Sequence, residues 1–182
     1  MRLIKYSLLT SLIFAALSCS TAPTPEAEAP EFVPGDLFIG IKPEVNIESV
    51  FNLMNGHGLE IDKVSGFFNY STLPPDSLAY VIEVLVDKPY LNKRGFTGGT
   101  AFVSPKTDQI IVAESMFEMN ENAQKDWLNT IEKLRLTDIQ IDHKNILIKV
   151  KPGTEVEWID KLLAHPYVFW AEPNWLDSLV LH

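Results

Sequence analysis

Asp138-Ile139-Gln140-Ile141-Asp142-His143-Lys144-Asn145-Ile146-Leu147-Ile148-Lys149-Val150 is the stretch whose reading decides the fold. Residues 138–142 alternate polar and apolar, and 146–150 form a second alternating run, the period-two pattern of a strand buried on one face. His143-Lys144-Asn145 between them reads as a turn, so the stretch predicts a β-hairpin. Upstream, residues 109–115 are rich in Ile and Val and predict a strand, while 122–134 set Trp127, Leu128, Ile131 and Leu134 on one helical face. Downstream, Thr154 and Glu157 have the spacing of a capping box before a helix whose Val156, Ile159 and Leu163 share a face. Pro166 ends that helix and 167–170 predict a last strand. The resulting β-α-β-β-α-β order is the ferredoxin-like arrangement, an α+β fold in which two helices cover one face of a four-stranded antiparallel sheet.

The chain repeats itself. Pro75 meets Pro152 and Pro89 meets Pro166, each 77 positions apart, and in the same ungapped register Ile82 falls on Ile159, Leu85 on Leu162 and Tyr90 on Tyr167. Val50 meets Trp127, Phe51 meets Leu128, Met54 meets Ile131 and Leu59 meets Leu136. This predicts two tandem ferredoxin-like modules, 33–98 and 99–176. In the first, 36–41 make a strand, Asn46 caps a helix bearing Ile47, Val50, Phe51 and Met54, Gly56 and Gly58 end it, 59–73 carry the middle strands, and Ser77 opens a second helix closed by Pro89. Arg94-Gly95-Phe96-Thr97-Gly98-Gly99-Thr100 reads as the turn at the seam, before a strand at 101–103.

Residues 1–18 have a basic start (Arg2, Lys5), an apolar run from Leu8 to Leu17 too short for a bilayer span of about 20 residues, and small residues before Cys19. Ala16-Leu17-Ser18-Cys19 resembles the lipobox of bacterial lipoproteins, with the usual Leu and small residue exchanged at positions 16 and 17. Lipidation of Cys19, the single cysteine, is what that resemblance implies, over an ordinary secretory signal cleaved near the same place or a buried structural thiol, and with it a location in the bacterial cell envelope, lipid-anchored at the outer membrane. Residues 19–32 are rich in Pro, Ala and acid and read as a flexible tether. Losing Arg2 and Lys5 with the signal takes the formal charge from −9 to −11, which argues against nucleic-acid partners and leaves the lipid as the membrane contact.

No catalytic constellation emerges. His57 stands between two glycines at a helix exit, a position for finishing a turn. Asp138, Gln140 and Asp142, followed by His143, lack the spacing of a calcium loop or zinc site and read as a solvated strand face. Gly98-Gly99 lacks the lysine of a phosphate loop, and Ser65-Gly66 lacks the preceding glycine of a nucleophile elbow. The expectation is a protein with no catalytic residues, no metal and no cofactor. Trp127, Trp158 and Trp170 read as packing, whereas Trp175, after Pro173-Asn174, reads as exposed.

Residues 146–153, ending in Lys151-Pro152-Gly153, and 165–175, His165-Pro166-Tyr167-Val168-Phe169-Trp170-Ala171-Glu172-Pro173-Asn174-Trp175, resemble the end of the propeptide of subtilisin-like serine proteases. Val33-Pro34-Gly35-Asp36-Leu37-Phe38-Ile39-Gly40-Ile41-Lys42-Pro43 is similar to its opening strand. Such propeptides inhibit their own protease, with the outer sheet face on the enzyme and the tail in its cleft. The resemblance therefore implies a non-catalytic lipoprotein that binds a protein partner, with a subtilisin-like serine protease, bound as its inhibitor, the candidate it names. Its contact residues would be Trp175 and Leu176 with Leu179, Val180, Leu181 and His182 of a C-terminal tail, 177–182, added to the partner as a strand. Two other classes compete: an assembly lipoprotein that associates through sheet edges, and an enzyme whose pocket gathers His57, His143 or His165 with acids.

Overall fold

The computed structural model describes residues 31–91 and 100–176. Its elements are β1 (Phe32–Ile41), α1 (Ile47–Gly56), β2 (Glu60–Ser71), α2 (Leu78–Val86), β3 (Thr100–Val103), β4 (Ile110–Phe117), α3 (Glu121–Lys133), β5 (Leu136–Ile139), β6 (Asn145–Lys149), α4 (Glu155–Leu163) and β7 (Val168–Trp175). The 77-position repeat holds in the elements. α2 and α4 coincide end for end under that shift, α1 and α3 end together at Gly56 and Lys133, and β2 falls on the span from β5 to β6.

The strands form one seven-stranded sheet ordered β3-β4-β2-β6-β1-β7, with β5 also paired to β2 and every pairing antiparallel. This replaces the two separate four-stranded sheets expected from the repeat. β1, β2 and β3 run one way and β4 to β7 the other, and they interleave, so that β3, expected to open the second module, serves as the last strand of the first copy and the seam falls after Val103 rather than at 98. The β1-α1-β2 crossover straddles β6, and β4-α3-β5 straddles β2. Neither copy completes a sheet alone, because the first strand of each is paired to the middle strand of the other.

The stretch at 138–150 is also corrected. β5 lies opposite residues 68–71 of β2 and β6 opposite 60–65 on the same side, so they are one strand in line, interrupted by a detour at 140–144. Alternation has the same period whether two runs fold back or continue, so the pattern could not separate a hairpin from an interrupted strand. Likewise 59–73, expected to hold two strands, is mostly the single β2, bent by bulges between Ile61 and Lys63 and between Val64 and Phe67.

Two features hold the detour. Gly66 has φ +78°, and a Cβ there would lie 2.0 Å from the His143 carbonyl oxygen, so the detour's backbone passes directly over it. Lys144 is 1% exposed. Its Nζ donates to the carbonyls of Pro43 (2.6 Å) and Val45 (3.0 Å), pairs with Asp138 Oδ2, and lies 5.1 Å from the Phe67 ring centre. Three donors meet three acceptors, which is how a buried ammonium is tolerated. Asp138 consequently faces the helices rather than solvent, opposite Asn69 of β2. Its burial raises its pKa, against the opposing hydrogen bond and charge of Lys144.

All four helices contribute to one cluster with the inward residues of the sheet, including Leu37, Ile39, Val64, Val112, Ile146 and Ile148 below, and Val50, Met54, Val81, Leu85, Trp127 and Leu162 above. Asn46 caps α1 by accepting from the Ser49 N–H, and Asn120 caps α3 in the same way through Ala123. The capping box at Thr154 does not form: its hydroxyl donates to the Lys151 carbonyl instead. Val156 and Leu163 are exposed, and α4 inserts Leu162 and the carboxylate of Glu155. Of Val156, Ile159 and Leu163, expected to share the buried face, only Ile159 packs on the core, because α4 turns Glu155 and Leu162 to the sheet.

Gly66→Ala should cost about 3 kcal/mol or more, combining 1–2 kcal/mol for the left-handed backbone with displacement of the His143 carbonyl. Gly58→Ala, also at positive φ but facing open space, should cost only about 1 kcal/mol. Denaturant unfolding of both variants gives the comparison, and equal losses would refute the close crossing. Lys144→Met should lose about 3–5 kcal/mol by stranding Asp138 and two carbonyls, and pairing it with Asp138→Leu should recover part of that loss.

Candidate binding surfaces

Because the helices share one side, the other face of the sheet has no layer over it among the described residues. Side-chain alternation sends Val64, Phe67, Asn69 and Ser71 of β2 inward, and Phe68 and Tyr70 outward. Phe102 of β3 lies opposite Ile111 of β4, which lies opposite Tyr70, itself opposite Thr137 of β5. That makes a row of large side chains across four strands. On the far side Trp170 of β7 lies across Gly40 of β1, where a Cβ would sit 2.1 Å from the indole nitrogen. Glycine there gives the ring its seat, and the ring returns the packing that glycine lacks. Trp170, expected to pack, does so against Gly40 on this face, whereas Phe68, Tyr70 and Phe102 were not singled out from the sequence. The signal was present, since Phe68 and Tyr70 alternate with inward residues, but a solvent face was assumed to be polar.

One corner of the same face is charged. Lys149 Nζ lies 2.7 Å from Asp36 Oδ1 and 3.9 Å from Asp62, and Asn174 donates to Asp36 Oδ2 at 3.2 Å. Beneath it, Gly35 (φ +84°) donates its N–H to Glu155 Oε1 at 2.7 Å and accepts from the Val150 N–H at 2.8 Å. β1, β6, β7 and α4 are therefore tied together where the chain leaves β7. Two of the expected contact residues are here. Trp175 is 43% exposed, with its ring edge-on to Phe32 at 5.7 Å, and Leu176 is exposed while its N–H donates to the Glu31 carbonyl at 2.8 Å. Leu179, Val180, Leu181 and His182 lie outside the described residues, as do Cys19, the signal segment, most of the tether and the seam at 92–99. β7 is an edge strand, with Phe169 72% exposed and Pro173 limiting its capacity for further pairing.

Among the described residues the histidines do not assemble a reactive centre. His57 closes α1, donating its N–H to the turn before it and meeting the Trp158 ring at 5.7 Å. His165 shares a shallow groove with it, lined by Ser49, Asn52, Leu53, Gly56 and Tyr167 and lacking any acid. His143 is exposed on the detour, away from both. Among the described residues no group of His, Cys, Asp and Glu is placed to hold a metal.

Glu155 carries the titration behaviour of the corner. Hydrogen bonds from its own N–H and from Gly35, with a further one from Gly153, outweigh burial and hold its pKa below the usual carboxylate range. A depressed folded-state pKa means the stabilisation is complete above the unfolded value near 4.3 and is lost as pH falls through the folded value. Glu155→Gln should be destabilised at neutral pH and should narrow its deficit against the wild type below pH 4 in thermal unfolding. A deficit independent of pH would show that ionisation of Glu155 contributes nothing.

No family model matches the chain, and no curated protein or solved structure matches it either.

Proposed function

We propose that this protein is a non-catalytic lipoprotein of the bacterial envelope, anchored through Cys19, that binds a protein partner with the outer face of its sheet and the chain beyond β7. The observation that supports this most directly is the outward row of Phe102, Ile111 and Tyr70, with Trp170 at the opposite edge of the same face, on a sheet whose helices all pack on the other face. Burying such a face contributes about 25 cal/mol per Å² of apolar surface, and aromatic anchors are the side chains on which interfaces concentrate their energy. The likeness of 146–153 and 165–175 to subtilase propeptides makes a subtilisin-like serine protease the first partner to test, with the protein acting as its inhibitor. In that arrangement the charged corner at Asp36, Lys149 and Asn174 sets orientation, and the tail from Leu176 enters the cleft.

A second reading has support in one residue. Phe169, nearly free on the edge strand β7, suits association of sheet edges in an envelope assembly.

The two separate by experiment. Intact protein should inhibit a subtilisin-like protease, deletion of 176–182 should abolish inhibition, and Phe68→Asp with Tyr70→Asp should weaken it at least tenfold while leaving unfolding unchanged. Absence of inhibition by the intact protein would dismiss the protease as partner. Loss of higher-order assembly in Phe169→Lys would favour the edge reading.

A further inference from the structure

α1 and α3 run antiparallel above the centre of the sheet and flank a groove at each end, and the repeat makes the two grooves counterparts. At one end, a groove of about 560 Å³ lies between the end of α1 and the start of α3. Gln124, buried there, accepts from Asn55 Nδ2 at 2.7 Å and donates to Asn55 Oδ1 at 3.3 Å and to the Met119 carbonyl at 2.7 Å. Its polar atoms answer one another.

At the other end, a groove of about 480 Å³ lies between the start of α1 and the end of α3. Ile47, Phe67, Trp127, Leu128, Ile131 and Leu136 give it apolar walls. Two polar groups lie on its floor, opposite each other on β2 and β5. Asn69 is 6% exposed, and its carboxamide, which makes no hydrogen bond among the described residues, opens onto the groove. Asp138 sends Oδ2 to Lys144, but its Oδ1 is buried with no partner. An unanswered buried polar group costs about 1–3 kcal/mol. The fold does not need that cost, because 77 positions away from Asn69 and Asp138 stand Ile146 and Ile61, both buried. The same architecture closes those positions with apolar side chains in its other copy.

We propose that this groove is a ligand site for a protonated amine carried on an apolar body of aromatic or branched-alkyl size. The ammonium meets the Asn69 carbonyl oxygen, a small shift of the partly exposed Asp138 side chain brings its Oδ1 to the same ammonium, and the body lies against Trp127, Leu128 and Ile131. Charge selects a cation over a neutral donor. Glu48 and Glu132 stand at the rim, Asp138 on the floor, and the groove lining has no basic side chain, since Lys144 is spent on Asp138 and two carbonyls. The helix ends do not alter the sign, because the positive end of α1 and the negative end of α3 both open here and roughly offset. A volume of about 480 Å³ is within the range of small-molecule pockets. The site stands independently of protein binding through the opposite sheet face.

The same chemistry is offered by a free amine and by a lysine side chain in an apolar peptide, so both are probes. Full-length protein is titrated with phenethylamine, with 2-phenylethanol as the neutral control and with an N-acetylated, C-amidated Leu-Lys dipeptide, following Trp127 by fluorescence and the Asn69 amide by NMR. Phenethylamine or the dipeptide should bind saturably and at least tenfold more tightly than the alcohol, and the tighter of the two identifies the source. Asn69→Ile, which installs the residue of the other copy, should weaken binding at least tenfold and raise the unfolding midpoint. Glu132→Lys, on the exposed rim, should weaken binding several-fold with unchanged stability. Amine and alcohol binding equally, neither amine saturating, or Asn69→Ile lowering the unfolding midpoint would each overturn the proposal.

Discussion

The pairing of β2 with the interrupted strand β5–β6 is the contact on which the rest of the structure depends. β2 is the longest strand, and its counterpart in the second copy matches it only by passing through the detour at 140–144. Each copy's first strand then needs the other copy's middle strand as its neighbour, so β1 and β4 have no place in the sheet until that central pair exists. Lys144 fastens the detour to the loop ahead of α1, and Gly66 leaves room for it. The contacts are far apart in sequence, which places loop-closure entropy before the reward of pairing and favours slow, cooperative folding of the whole sheet over stepwise assembly of halves.

A duplicated chain offers an internal control for what a position requires. Where both copies carry apolar residues, as at Leu59 and Leu136 or Leu85 and Leu162, the position belongs to the common core. Where they differ in polarity at equal burial, folding alone does not decide the residue. Phe67 and Lys144 are such a pair, brought face to face across the central strands, and the lysine has acquired an equal number of acceptors. Asn69 against Ile146 is a buried pair of the other kind, and beside it the partly exposed Asp138 stands against the buried Ile61, with its Oδ1 left without a partner. Buried polarity of that kind marks positions held for something other than stability.

Much of the fold was legible in the sequence, for local reasons. Helix limits followed from Asn46, Gly56 and Pro166, strands from Ile- and Val-rich alternation, and the repeat from prolines that must sit outside helices. What failed was non-local. Two alternating runs joined by three polar residues look the same folded back or in line, and the lysine that decides between them, Lys144, has the composition of a turn residue. Val156 looked like core because it shares a face with Ile159, but α4 is rotated so that Glu155 can reach the Gly35 N–H. Asn69 inward and Tyr70 outward depend on which face β2 turns to the helices, and its pairing with β5 and β6 joins residues more than sixty positions apart.

The two faces of the sheet therefore carry different kinds of information. The helical side is closed by apolar packing except where Asn69 and Asp138 break it, so selectivity there rests on satisfying buried polar groups, a demanding condition met by few ligands. The open side is broad and aromatic, with a charged corner at Asp36, Lys149 and Asn174 where the proposed protein partner would take its register. The β2 strand contributes to both, Asn69 inward and Phe68 and Tyr70 outward. A ligand that draws Asn69 and Asp138 together tightens the pairing of β2 with β5, and the outward side chains of those strands, Tyr70 and Thr137 among them, are positioned by that pairing. The two surfaces share a backbone ladder, and any coupling between them must pass through it.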